Sequence, residues 1–202
     1  MGAWVVVSAG WYYTDDQLIN RVESSASGFN GWKKGEYLIT VRSGADIPDA
    51  FDDKAYLFEC KADGQRPIFV MVASCTTHPG VDVLLHFAQK YNKAGAPVLK
   101  SDCMVYESHK YGLHKGYSAY VQAKIFPYFR DKDRDNKAEE NGPELSDAVI
   151  AANVHHANAI KVSQVNVNWS AGCIVMNDPN RFKAFMAFMA KRPLTVCILK
   201  QF

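Results

Sequence analysis

Five short runs limit what this chain can fold into more than any other feature: "EYLITV" (36–41), "AYLFEC" (55–60), "PIFVMVAS" (67–74), "SAYVQAKIF" (118–126) and "LTVCIL" (194–199). Each is rich in β-branched and aromatic residues and bounded by turn-forming or charged ones, which is the signature of a strand. The opening "MGAWVVVSAG" reads as a further strand, because its apolar core is too short to span a bilayer and no basic segment precedes it, so no signal peptide or anchor is expected there. With 202 residues, 48% of them hydrophobic, and no internal repeat, one compact domain spanning 1–202 is expected.

Helices are signalled near both ends. Thr14 with Gln17 three residues on forms a capping-box pattern ahead of Leu18, Ile19 and Val22. Asp178 caps and Pro179 opens "DPNRFKAFMAFMAKR", in which Phe182, Phe185, Met186 and Met189 form one apolar stripe, read as core packing. "VDVLLHFAQKYN" (81–92) fits helix spacing but also a loop and strand. The fold class that follows is β-rich α+β, with short helices at both chain ends.

The strongly polar "RDKDRDNKAEENGPELSD" (130–147) is expected as a long surface loop. Its Asp131, Asp133 and Asp135 copy the beginning of a calcium loop. Asn136 then replaces the required glycine, Gly142 stands where the bidentate Glu belongs, and interleaved basic residues lower the negative charge. A solvated loop is the expectation. Lysine and arginine number 23 against 21 acids, and a net charge of +2 gives too little field to steer the chain to nucleic acid.

Five cysteines (Cys60, Cys75, Cys103, Cys173, Cys197) show no CxxC spacing, and their odd number leaves at least one thiol unpaired. Neither a disulfide scaffold nor structural zinc is expected. Four are read as core thiols. Cys173 differs, because it follows Gly172 in "NWSAGCIVM" (168–176). A cysteine attacks as thiolate, and an ordinary thiol is only a few per cent ionised at neutral pH, so it needs a base. The six histidines are His78, His86, His109, His114, His155 and His156. "AVIAANVHHA" (148–157) reads as a strand in which His155 and His156 point to opposite faces, so only one can serve. If the chain returns to set Cys173 beside His155, the imidazole takes the thiol proton. Gly172 then permits close approach of a substrate backbone, and amides around Cys173 bind an oxyanion.

The stretch "VHHANAIKVSQVNVNWSAGCIVM" resembles the active-site signature of the L,D-transpeptidase (YkuD-like) catalytic domain: a histidine, fourteen intervening residues here, then Ser170, Ala171, Gly172 and Cys173. "YGLHKGYSAYVQ", with "VHHAN" and "WSAGC", also resembles a group of phage-encoded and prophage proteins taken to act on the cell wall. The resemblance implies a mixed sheet or β-sandwich. It further implies attack by Cys173 on a peptidoglycan stem peptide, a thioester, and transfer to an amine or water, with no metal or cofactor. His155 would be the base, and the Ser170–Cys173 backbone, Gly172 included, the oxyanion site. "ASCTTHPG" (73–80) is similar to a cleft-lining segment of that family and would bring Thr77 and His78 to the substrate. His114, between glycines in "GLHKG", is either a cleft residue or a turn histidine, and His78 either lines the cleft or is a satisfied loop residue; Asn158 and Trp169 complete the candidate substrate contacts. Trp169 either stacks on a sugar or closes the core, and core closure is the expectation.

Two positions depart from the family pattern. Ala171 replaces the usual histidine and Val175 a common arginine, which removes a polar group beside the thiol and a carboxylate anchor. Hydrolysis and transpeptidation both stay open. The alternative is a non-catalytic cell-wall or phage structural module that holds a stem peptide in the same cleft.

Overall fold

The computed structural model describes residues 12–90, 93–166 and 169–202; the strand expected in "MGAWVVVSAG" lies outside them. The described residues form a β-rich α+β fold with three short helices. Eight strands form one mixed sheet: β1 (Gly35–Arg42), β2 (Asp53–Cys60), β3 (Ile68–Thr76), β5 (Cys103–His114), β6 (Tyr117–Gln122), β8 (Val154–His156), β9 (Ile174–Met176) and β10 (Leu194–Lys200). Their order β1-β10-β5-β6-β8-β9-β3-β2 closes on itself, so the sheet is a barrel where a sandwich was one expectation. β1 with β10 and β8 with β9 are parallel; the other neighbours are antiparallel. β4 (Ala96–Leu99) and β7 (Tyr128–Asp131) pair separately.

The helices form for the reasons read from their ends. In α1 (Asp15–Ser25) the Thr14 hydroxyl accepts from Gln17 N–H and the Gln17 side chain accepts from Thr14 N–H, which closes the capping box. α2 (Val81–Lys90) settles the ambiguous segment as a helix. α3 (Pro179–Met189) starts on Asp178, whose carboxylate accepts from Asn180 N–H, and is followed by β10, so this helix does not end the chain.

Alternation divides the core into two layers. Leu38 of β1 and Leu194, Val196 and Ile198 of β10 join Phe182, Phe185 and Met189 of α3 in the larger cluster. Tyr37, Ile39, Val41, Cys197 and Leu199 face the other way, onto Leu18, Ile19 and Val22 of α1. Strands covered on both faces carry apolar residues at nearly every position, and β1 and β10 read that way.

Three expectations change. The strand 148–157 shortens to Val154–His156, because Ala151 adopts φ +58°, a left-handed conformation that breaks an extended run. The run 118–126 stops at Gln122, where Ala123 and Lys124 N–H groups turn back onto Ser108 O. The polar segment 130–147 begins inside β7, with Asp131 buried and its carboxylate accepting from Glu139 N–H.

Candidate active site

The β8–β9 pair builds the centre of the site. Val154 lies opposite Ile174 and His155 opposite Val175. Because alternate residues share a face, Asn153, His155, Cys173 and Val175 lie on one side of the pair, and Val154, His156, Ile174 and Met176 on the other. His156 accordingly packs edge-on to Phe182, at 5.1 Å between ring centroids, and is the bystander. His155 is buried, 1% exposed, on the Cys173 side.

Cys173 is 6% exposed and packs with Phe51, Ala157 and Val175. Its Sγ accepts from Asn153 N–H at 3.4 Å, and its thiol donates to Ala151 O at 3.6 Å. Burial pushes the thiol pKa up, with Asn153 N–H, Lys115 and Ala171 N–H acting in the opposite sense. The thiol rests neutral.

The tautomer of His155 follows from its neighbours. Nδ1 sits 2.9 Å from His156 O, which can only accept, so Nδ1 carries the proton and Nε2 keeps the lone pair. That Nε2 is buried and has no hydrogen-bond partner among the described residues. Burial drives the imidazole pKa down to about 3, so the ring is neutral.

A hairpin tip closes over this ring. β5 and β6 are joined by Lys115 (φ +48°) and Gly116 (φ +88°), two left-handed residues that suit a tight two-residue turn. His114 and Tyr117 thereby become directly opposed neighbours. His114 stacks on His155 at 4.2 Å and 11°, and the Tyr117 hydroxyl lies 3.2 Å from His155 Nδ1. Tyr117 and Asn153 were not singled out from sequence. The Lys-Gly pair between "GLH" and "YSAYV" was the signal that placed Tyr117.

Several expected contacts are placed differently. Ser170 Oγ donates to Cys173 O at 2.9 Å and accepts Gly172 N–H at 3.1 Å, so this serine braces the bend and the Gly172 amide is already committed. Gly172 has φ +105°, and a Cβ there would lie 2.7 Å from Pro97 O. The backbone that approaches this glycine is therefore that of β4, not a substrate's. Thr77 is fully buried: its hydroxyl donates to Asp53 and accepts from Arg42, which removes it as a direct substrate contact. His78 pairs with Asp46 at 2.9 Å beside a shallow cleft lined by Asp46, Asp49, Asp52 and Asn166. The loop that carries Phe51 against Cys173 also forms a wall of that cleft. Asn158 turns its Oδ1 onto the Ile160 and Lys161 N–H groups. Trp169 is 39% exposed and does not close the core.

The chain matches no protein-family model, no curated protein and no solved structure. Among the described residues no helix is long and apolar enough to cross a membrane.

Proposed function

We infer that this chain is a cysteine acyltransferase or hydrolase of the L,D-transpeptidase kind, acting on peptidoglycan stem peptides. One observation carries the reading: the unpartnered, buried Nε2 lone pair of His155, fixed in that tautomer by His156 O, on the face of the β8–β9 pair that bears Cys173. A buried acceptor without a donor is costly in a fold with no use for it. It suits a base that receives a thiol proton once a bound substrate stabilises the imidazolium, because burial holds the ring's pKa at about 3 in the free protein. His155 then returns the proton to the leaving amine, and the thioester on Cys173 passes to water or to a second amine.

The buried, neutral thiol favours a second reading, a module that binds a stem peptide without turnover. Incubation with an activated acyl donor followed by mass spectrometry separates the two. The enzyme gains one acyl mass on Cys173, and the Cys173→Ala variant gains none and no longer releases or exchanges D-amino acids from purified muropeptides. Wild-type protein that binds muropeptides but never acylates is the second reading.

A further inference from the structure

Three buried imidazole nitrogens lack partners in this region: Nε2 of His114, Nε2 of His155 and Nδ1 of His156. The first two belong to the stacked pair, and their protonation states are set oppositely. Asn153 Oδ1 accepts from Gln122 N–H at 3.0 Å, which fixes the amide so that its Nδ2 faces His114 Nδ1, 3.0 Å away. An amide nitrogen can only donate, so His114 Nδ1 is the acceptor and the proton of the neutral ring sits on Nε2. His155 has the reverse arrangement, with its proton on Nδ1. The stack therefore offers one N–H donor and one lone pair, both buried and unmatched.

A second observation concerns the amides around the nucleophile. Gly172 N–H is held by Ser170 Oγ and Ile174 N–H by Asn153 O. A negative charge developing on a carbonyl oxygen beside Cys173 finds these two backbone donors taken, which leaves a place for a side-chain donor. Asn153 ties that side chain to the sulfur, because its backbone N–H meets Cys173 Sγ while its amide orients His114.

We propose that His114 is a catalytic residue that hydrogen-bonds the developing oxyanion through Nε2–H, with Asn153 as the positioning residue that holds it in this tautomer. The assignment rests on Cys173 being the nucleophile. As Sγ bonds the carbonyl carbon, His155 Nε2 takes the thiol proton and the carbonyl π pair moves to oxygen, where His114 Nε2–H binds it without transfer. When that pair falls back, the carbon–nitrogen bond breaks, the amine leaves with the proton from His155, and a thioester remains. The Asn153 amide also opposes protonation of His114, since a charged ring would turn a second N–H toward it. The neighbour stacked on His155 thus stays uncharged and adds no like charge against protonation of His155.

Two measurements test this on the intact chain. Nitrogen-15 imidazole spectra of the wild-type protein should show the Nε2–H tautomer for His114 and the Nδ1–H tautomer for His155; Nδ1–H at His114 overturns the proposal. In the second, Cys173 is acylated with p-nitrophenyl acetate, which builds an oxyanion, and alkylated with iodoacetamide, which does not. The ratio of the two rates should fall about 100-fold in His114→Phe and partly recover in His114→Gln, whose amide can donate. An unchanged ratio in a His114→Phe protein that still acylates removes His114 from the chemistry and leaves the cysteine reading intact. Failure of the wild type to acylate removes both. Should His114→Phe not fold, the tautomers decide alone.

Discussion

His109 shows what a buried histidine looks like when its role is structural. It has no exposure, its Nδ1 meets Ser108 Oγ at 2.8 Å and its Nε2 meets Ala152 O at 2.7 Å, so both ring nitrogens are matched. His155 is as deeply placed and leaves Nε2 unmatched; His156 Nδ1 is unmatched too but lies on the opposite face against Phe182, so the open lone pair together with the Cys173 side marks the candidate base. Burial lowers the His109 pKa to about 4. Below the ordinary value of 6.5 the unfolded chain binds a proton that the folded chain refuses, so stability is complete above pH 6.5 and is lost as pH falls toward 4. By pH 4 the loss from this residue alone reaches about 3 kcal/mol. Urea midpoints measured from pH 7 to pH 4 should trace it, and His109→Gln should flatten the limb even where it lowers stability at pH 7. A limb unchanged in that variant places the titration elsewhere.

At the scale of elements, the bend before β9 depends on Gly172. With φ +105° and Pro97 O where a Cβ would sit, Gly172→Ala should cost about 2 kcal/mol or more, read as a lowered denaturation midpoint. A midpoint within experimental error of wild type would mean that β4 yields at no cost. The other elements differ in how far their own residues announced them. Caps at Thr14 and Asp178 and the dense apolar runs of β1, β2 and β10 were legible, because local chemistry and two-sided burial leave a mark in the sequence; β3 was legible from its β-branched and aromatic residues, although its start is exposed. β5 was not: Glu107 takes φ +50° where the register with β10 shifts, so the strand is bent and its pattern broken. β4, β7 and β9 are three or four residues long and are held by distant partners, which no local window contains. The site divides in the same way. His155 and Cys173 were readable from type and spacing, whereas Asn153 and the stacking of His114 depend on how β5, β6 and β8 come together. Thr77 and Gly172 misled because the pressures on them come from Asp53 and Pro97, far away in sequence.

For the whole molecule, closure of the barrel joins the two sequence extremes of the sheet. β10, the last strand, fits between β1 and β5, and its registered partners run from Glu36 opposite Leu194 to Arg42 opposite Lys200. The chain enters β1 at one end of this parallel pair and leaves β10 at the other. Tension applied at the two termini, once α1 is stripped away, therefore loads these backbone hydrogen bonds in shear, all together, where an antiparallel terminal hairpin would unzip rung by rung. In single-molecule stretching the barrel should give way in one abrupt, high-force event. A gradual low-force extension would show that the β1–β10 seam carries no mechanical clamp.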